Sequence, residues 1–200
     1  MDAIEAIRTR RSIRAFLPRP VPEGLIEELV ALACAAPAPH HTQPWRFVTL
    51  GAEARETLAE AMGAAWRSDL ERDGLPAERI EALLARSRTQ ILGAPALVLG
   101  GLVDEGLRRW PDERRRQAEW GLAMHSFGAA LQNLMLAAHA KGLASFWISA
   151  PLFCPDAVRR ALRLPEAFVA QALVALGYPD PSYRPRNRPP VQIERVLERR

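Results

Sequence analysis

Strands alternating with helices predict a single α/β (or α+β) domain, and three stretches carry that reading. Ala96-Leu97-Val98-Leu99-Gly100 is a short, continuous apolar run of the kind a buried strand shows. Leu25, Ile26, Leu29, Val30, Leu32 and Ala33 recur at helical spacing. Residues 120–138 are apolar nearly all round, over a length that only a helix uses, so this helix is expected inside a large core or between two subunits.

The elements follow in order. Residues 3–7 read as one or two helical turns, 18–22 as a proline-rich connector and 23–36 as an amphipathic helix stopped by Pro37 and Pro39. Residues 37–44 form a tight, proline-fixed loop before a strand over 45–50. A helix is expected over 53–70, with Leu58, Met62 and Trp66 on one face. Asp73-Gly74 breaks it, and Pro76 starts another that runs to about Ile91. After the strand over 95–101, residues 102–111 make an irregular loop holding Arg108, Arg109 and Trp110. The long helix then spans 113–141 and is closed by Gly142. His125, Ser126, Gln132, Asn133 and His139 argue against its being a membrane span. A strand over 144–149, a helix over 156–164 and a strand over 168–176 complete the body. The Pro- and Arg-rich tail over 181–190 is expected to be extended, with a last helix over 191–199.

Two hundred residues are enough for one core. The 48% hydrophobic and 25% charged content is that of a soluble globular chain. Asp2 and Glu5, without a long apolar run, do not make a signal peptide, and a cytoplasmic location is expected. Cys34 and Cys154 lie far apart among apolar neighbours and read as buried free thiols in a reducing compartment. The formal charge of +4 comes without interleaved aromatic residues, so no nucleic-acid partner is expected, and no membrane partner either.

Arg8, Arg10, Arg11, Arg14 and Arg19 crowd into one short stretch with no acid among them, and Ser12 sits at its centre. Such a cluster faces water or meets an anion; the arginine fork fits phosphate oxygens in two-pronged fashion. The chain has no G-x-G-x-x-G and no G-x-x-x-x-G-K-S/T, so the phosphate of any bound nucleotide must be held by side chains. His40 and His41 are adjacent on a loop with no Cys, Asp or Glu to complete a ligand set, so no metal site is expected there. Substrate binding or proton donation suits them better, whereas His125 and His139 read as structural.

The box Arg10-Arg11-Ser12-Ile13-Arg14-Ala15-Phe16 has the form R-x-S-x-R-x-F. With Ala36-Pro37-Ala38-Pro39-His40-His41-Thr42-Gln43-Pro44-Trp45-Arg46-Phe47 it resembles the nitroreductase family of flavoproteins. The similarity runs from about Arg8 to about Tyr178. Residues 36–42, Trp66-Arg67-Ser68-Asp69-Leu70, Asp73-Gly74-Leu75-Pro76 and Trp110-Pro111-Asp112 look, within that family, like the C-terminal domain of the actinobacterial coenzyme F-420-0:gamma-glutamyl ligase. No counterpart of the ligase domain precedes the box, and glutamate ligation is not expected.

The resemblance implies a nitroreductase-like fold, with a central mixed β-sheet wrapped by helices and one domain spanning 1–200. It also implies an intertwined homodimer sharing the long helix, with a C-terminal arm from about 181 that embraces the partner. The implied cofactor is FMN. Arg10, Ser12 and Arg14, with Arg11 beside them, match the positions that hold its phosphate, ribityl chain and pyrimidine edge. A tail arginine, Arg184 or preferably Arg186, would complete the phosphate site. Pro37 and Ala38 match a loop that runs along the flavin from the partner subunit, and Ile148-Ser149 a strand end whose backbone approaches flavin N5. His40 and His41 are candidates for binding substrate, and His41 for donating a proton. Arg67 and Asp69 lie on the helix that covers the substrate side and are candidates for its polar groups. The implied activity is the reduction of dehydro-F-420-0 by hydride transfer from reduced FMN. A general NAD(P)H-dependent nitro- or quinone reductase is the alternative enzyme, and a non-catalytic flavin or deazaflavin carrier the alternative of another class.

Overall fold

A computed structural model describes every residue, Met1–Arg200. Six helices surround four strands: α1 (Ala3–Thr9), α2 (Glu23–Ala33), β1 (Trp45–Thr49), α3 (Ala52–Arg72), α4 (Ala77–Leu92), β2 (Ala96–Leu102), α5 (Glu113–Ala140), β3 (Ala144–Ile148), α6 (Pro155–Ala161) and β4 (Val169–Gly177). Short 3-10 turns stand at Pro39–His41, Ala150–Phe153 and Ile193–Arg195. No helix is long and apolar enough to cross a membrane.

The sheet order is β1-β2-β4-β3, and every named pair is antiparallel. The expected mixed sheet is therefore corrected: the one parallel pairing is an isolated bridge between Ser12 and Ser145. Strand alternation sends side chains to both faces. Val98, Leu102, Ala172, Val174 and Leu176 meet α2 and α5 on one face. Leu97, Leu99, Leu173 and Ala175 meet α3, Ile91 of α4 and Val158 of α6 on the other. The sheet is thus the middle of three layers, and β2 is buried throughout. Consecutive glycines let aromatic rings press on it from opposite sides. A Cβ at Gly100 would stand 2.7 Å from the Phe127 ring of α5, and one at Gly101 would stand 2.4 Å from that of Phe168.

Helix ends account for most departures from expectation. The α2 helix stops at Ala33, short of the expected 36, and α6 stops at Ala161, where Arg163 turns left-handed at φ 51°. The expected final helix over 191–199 is a single 3-10 turn at Ile193–Arg195, because nothing packs against it: Val191, Ile193, Val196 and Leu197 are all exposed. Within one chain α5 is not buried all round. Ala123, Phe127, Ala130, Leu134 and Ala138 are buried, whereas Leu122 and Met124 remain 45% and 42% exposed. Cys34 and Cys154 are free but only half-buried, and the Cys34 sulfur accepts the Trp45 indole N–H at 3.2 Å.

Candidate active site

The arginine box is laid along the free edge of β3. Ser12 bridges Ser145, and the Ile13 N–H donates to the Ser145 carbonyl at 3.1 Å. Further on, Phe16 bridges Pro179, and the Leu17 N–H bonds to the Tyr178 carbonyl at 2.9 Å. Phe16 stacks on Phe146 at 6.0 Å, and the Arg14 guanidinium lies 5.4 Å from the centroid of the same ring. Position 177 has to be glycine for this approach: a Cβ there would stand 2.8 Å from Phe16 Cδ1 and 2.7 Å from Pro95 Cγ.

Two buried side-chain polar atoms in the molecule lack a hydrogen-bond partner, Arg10 Nη1 and Ser145 Oγ, and both belong to this junction. Leaving a buried polar group unpaired costs about 1–3 kcal/mol, and more for a charged one. Arg10 has cations for neighbours. Burial, then Arg188, then Arg11, holds its pKa below the ordinary arginine value. Arg188 comes from the arm, with Nη2 on the Arg10 carbonyl at 2.6 Å and Nη1 on the Ile7 carbonyl at 3.4 Å. Unpaired donors ringed by positive charge select an anion. Behind them, Thr9 Oγ1 donates to the Glu5 carbonyl at 2.7 Å and stands 2.8 Å from His139 Nε2 on α5, which leaves the imidazole N–H as donor to the hydroxyl.

A cavity of about 540 Å³ opens at the other end of β3, between α3, α4 and the Ala150–Phe153 turn. Ile148, Met62, Trp66 and Phe153 give it apolar walls; Asp69, Arg86 and Gln90 give it polar groups. Ser145 and Ile148 are three residue steps apart along the strand, roughly 10 Å. The anion-seeking junction and the apolar cavity therefore share one edge strand. Cys154 also lines the cavity, but burial and then Asp69 push its thiol pKa up, so it is no ready nucleophile.

A second group gathers at the far end of α5. His40 (φ 53°), His41 (φ 55°) and Gln43 (φ 46°) are left-handed within four residues, a strain that persists only where the surroundings fix it. This loop packs on the one after β2. The Val103 N–H bonds to the Pro44 carbonyl at 2.8 Å, and Arg46 pairs with Glu105 at 2.6 Å. Glu119 of α5 is buried beside them. Its carboxyl is held below the usual range first by the Trp110 indole N–H at 3.1 Å, against the cost of burial, with help from the Arg108 N–H and from His40. Glu119 and His139 are twenty residues apart on one helix, about 30 Å. One chain thus keeps Pro37, Ala38, His40 and His41 well away from the arginine box.

A family model described as the nitroreductase family matches residues 7–178. The chain belongs to the nitroreductase family. It is 31% identical over 211 residues to a nitrobenzene nitroreductase of Ectopseudomonas oleovorans, covering 92% of this chain and 89% of that protein. It is 33% identical over 207 residues to a Thermus thermophilus protein called NADH dehydrogenase, covering 98% and 95%. Its fold matches a BluB-like flavoprotein of Clostridium difficile 630 with a TM-score of 0.81 at 22% identity, covering 99% of this chain and 98% of that one. It also matches the FMN-dependent nitroreductase NfnB of Mycobacterium smegmatis, solved with NADPH, with a TM-score of 0.73 at 24% identity, covering 99% and 97%.

In this nitroreductase-family oxidoreductase the site residues read from sequence divide into groups. Arg10, Ser12 and Arg14 come together at β3, and Ile148 and Asp69 line the cavity, with Ser149 directly after Ile148. Arg11 instead turns Nη1 onto the carbonyls of Arg8, Thr9 and Arg10, closing the end of α1. Arg67 is outside the cavity lining and pairs with Glu81 of α4 at 2.6 Å. Of the tail arginines, Arg184 bonds to the arm's own carbonyls at Pro181 and Tyr183, and no hydrogen bond joins Arg186 to the box; Arg188 occupies that place. Arg188, Ser145, Arg86 and Gln90 join the site in the structure without having been among the residues expected from sequence. Arg188 is the third member of an alternating Arg184, Arg186, Arg188 run and was open to discovery on that pattern. Ser145 matters only through its pairing with the box, which no local pattern announces.

Proposed function

We propose that this protein binds FMN and is an NAD(P)H-linked reductase of planar aromatic acceptors that works as a homodimer. The observation that carries the reading is the pair of unpartnered buried atoms, Arg10 Nη1 and Ser145 Oγ, about 10 Å along β3 from an apolar cavity. Ser145 and Ile148 point to opposite faces of the sheet, so one mononucleotide would reach both by crossing the free edge of β3. Arg10, Ser145 and Arg188 would hold the phosphate, and Ser12 and Arg14 would border the ribityl chain. Ile148 and Met62 would wall the ring, with Arg86 and Gln90 as polar partners at its edge. Bound there, FMN supplies reversible two-electron chemistry that no side chain of the protein offers. The protein's own work is to neutralise the phosphate, fix the ring against β3 and shield the cavity from water. Likeness to proteins named nitrobenzene nitroreductase and NADH dehydrogenase supports a nitroaromatic acceptor and a reduced nicotinamide donor.

The homodimer reading is supported by the separation of the two groups along α5 and by the exposed Leu122 and Met124 on that helix. A two-fold pairing of α5 with its copy would bring the Glu119 end of one helix towards the His139 end of the other. Pro37, Ala38, His40 and His41 of one chain would then border the site of its partner, with His41 as the candidate proton donor. Residues from about 181 would form an arm of the same single domain, its exposed Val191, Ile193, Val196 and Leu197 covered by the partner.

A second reading is reduction of dehydro-F-420-0. It is supported by the position of Trp66 and Asp69 on the cavity wall, in the segment that resembles the F-420 enzyme. One experiment separates the readings. The flavin-loaded protein is given NADPH or NADH anaerobically with nitrobenzene, a quinone or dehydro-F-420-0, and products are identified by mass spectrometry. Turnover of nitro or quinone compounds is the expected result. Conversion of the deazaflavin precursor alone would establish the second reading. A bound flavin that passes electrons to none of them would leave a carrier.

A further inference from the structure

We propose that the loop between β2 and α5 recognises the 2′-phosphate of a reduced nicotinamide dinucleotide, so that the protein selects NADPH over NADH. This rests on the NAD(P)H-linked reading above and names the nucleotide that reading leaves open. A cavity of about 410 Å³ lies here, lined among others by Arg108, Arg109, Trp110, Arg116, Glu119 and Trp120. It is separate from the junction at Arg10, about 30 Å away along α5 in the same chain.

The loop is anchored from below. Glu119 is only 5% exposed, and both its oxygens are committed: Oε1 accepts the Arg108 N–H at 3.2 Å and Oε2 the Trp110 indole N–H at 3.1 Å. Arg116 ties the loop a second time, donating to the carbonyls of Trp110 at 3.4 Å and Pro111 at 3.2 Å while pairing with Glu113 at 2.8 Å. Arg115 pairs with Asp112 and lies 4.8 Å from the centroid of the Trp110 ring. Burying a carboxylate is costly unless donors satisfy it, and here the donors that do so fix the loop's shape.

What the anchors leave free is positive. The guanidinium groups of Arg108 and Arg109 make neither an ion pair nor a hydrogen bond, although Asp104 also borders the cavity. Two adjacent forks on a fixed backbone suit a dianionic phosphate monoester. The indoles of Trp110 and Trp120 offer a purine an apolar surface beside it. In the proposed two-fold dimer this loop, with His40 and His41, would lie at the Glu119 end of α5, the end that such a pairing brings towards the partner's flavin site. The adenosine end of a dinucleotide whose nicotinamide enters that cavity would have this loop as its neighbour. NADH carries a ribose hydroxyl where NADPH carries the phosphate, so the two arginines act on one donor alone.

The test uses the flavin-loaded protein and the double variant Arg108→Gln/Arg109→Gln. The expected result is a KM for NADPH raised about tenfold or more, the range for losing charge-assisted phosphate contacts. KM for NADH and flavin content should stay within about twofold. Calorimetry should show adenosine 2′,5′-bisphosphate binding the wild type and weakening by the same factor in the variant, with 5′-AMP unaffected. Equal loss of NADPH and NADH, or no change in either, overturns the proposal. If the wild type oxidises neither nucleotide, the oxidoreductase reading fails instead, and adenosine 2′,5′-bisphosphate binding still decides whether the loop recognises the phosphate.

Discussion

Thr9 Oγ1 stands 2.8 Å from His139 Nε2, which ties the last turn of α1 to the last turn of α5 beside Arg10. Burial first, and Arg10 next, lowers the pKa of this imidazole. Unfolded histidine protonates near 6.5. Below that pH the unfolded chain takes up a proton that the folded chain resists, so folding stability falls as pH drops from about 7 through the folded value. The flavin-free protein should therefore lose melting temperature between pH 7 and pH 5, and His139→Gln should flatten that fall. Carboxylates held down in the fold, such as Glu119 and Asp112, lose stability only below their ordinary range near 4 and leave this window clear. Parallel melting curves for variant and wild type across the window would remove His139 from the account.

Arg10→Ala should lower FMN affinity roughly ten- to a hundredfold through loss of a charge-assisted contact. Riboflavin, which lacks the phosphate, should bind the variant as it binds the wild type. Because the change also removes a buried, unpaired Nη1, the flavin-free variant should melt no lower than the wild type. Fluorescence titration with both ligands reads this directly, and equal loss of the two would make Arg10 a structural residue. Arg14→Ala should weaken FMN less, since Arg14 is exposed over the Phe146 ring.

Gly177→Ala tests the coupling of fold to site. The added methyl meets Phe16 and Pro95, neither of which can swing aside as a flexible chain end does. Overpacking of this kind costs about 1–3 kcal/mol. Because Phe16 is in the arginine box, FMN affinity should fall with stability. A variant with wild-type melting temperature and wild-type FMN affinity would show that the box does not depend on this contact.

Glu119→Gln replaces two acceptor oxygens with one, so either the Arg108 N–H or the Trp110 indole N–H loses its partner. The expected cost is about 1–3 kcal/mol, concentrated in residues 103–112. Trypsin should then cut the variant faster after Arg108 and Arg109 than it cuts the wild type. Unchanged cleavage there would mean that Glu119 does not hold the loop.

The layers and the strand sequence were legible because burial writes a period into the chain: β2 is an apolar run, and α2 repeats on one face. Ends were less legible. Arg163 turns left-handed without a glycine to mark it, and the segment over 191–199 lacks the packing that nine residues need to stay helical. The arginine box could be read because five cations without an acid form a local pattern. Arg11 could not be separated from its neighbours, since its turn onto the α1 carbonyls depends on where that helix stops. Arg86 and Gln90 were hidden on a polar helix face that becomes a cavity wall only when α3 and α4 pack against the end of β3.

An anaerobic titration tests FMN-linked oxidation of NADPH at the Arg10 site most directly. The protein is reconstituted with FMN, freed of excess, and titrated with NADPH while its flavin absorbance is followed; Arg10→Ala is treated alike. The predicted result is one FMN retained per chain, bleached in proportion to NADPH added and restored by nitrobenzene, with the variant losing its FMN on the same column. Failure of the wild type to retain FMN, or retention of a flavin that NADPH leaves oxidised, would contradict it.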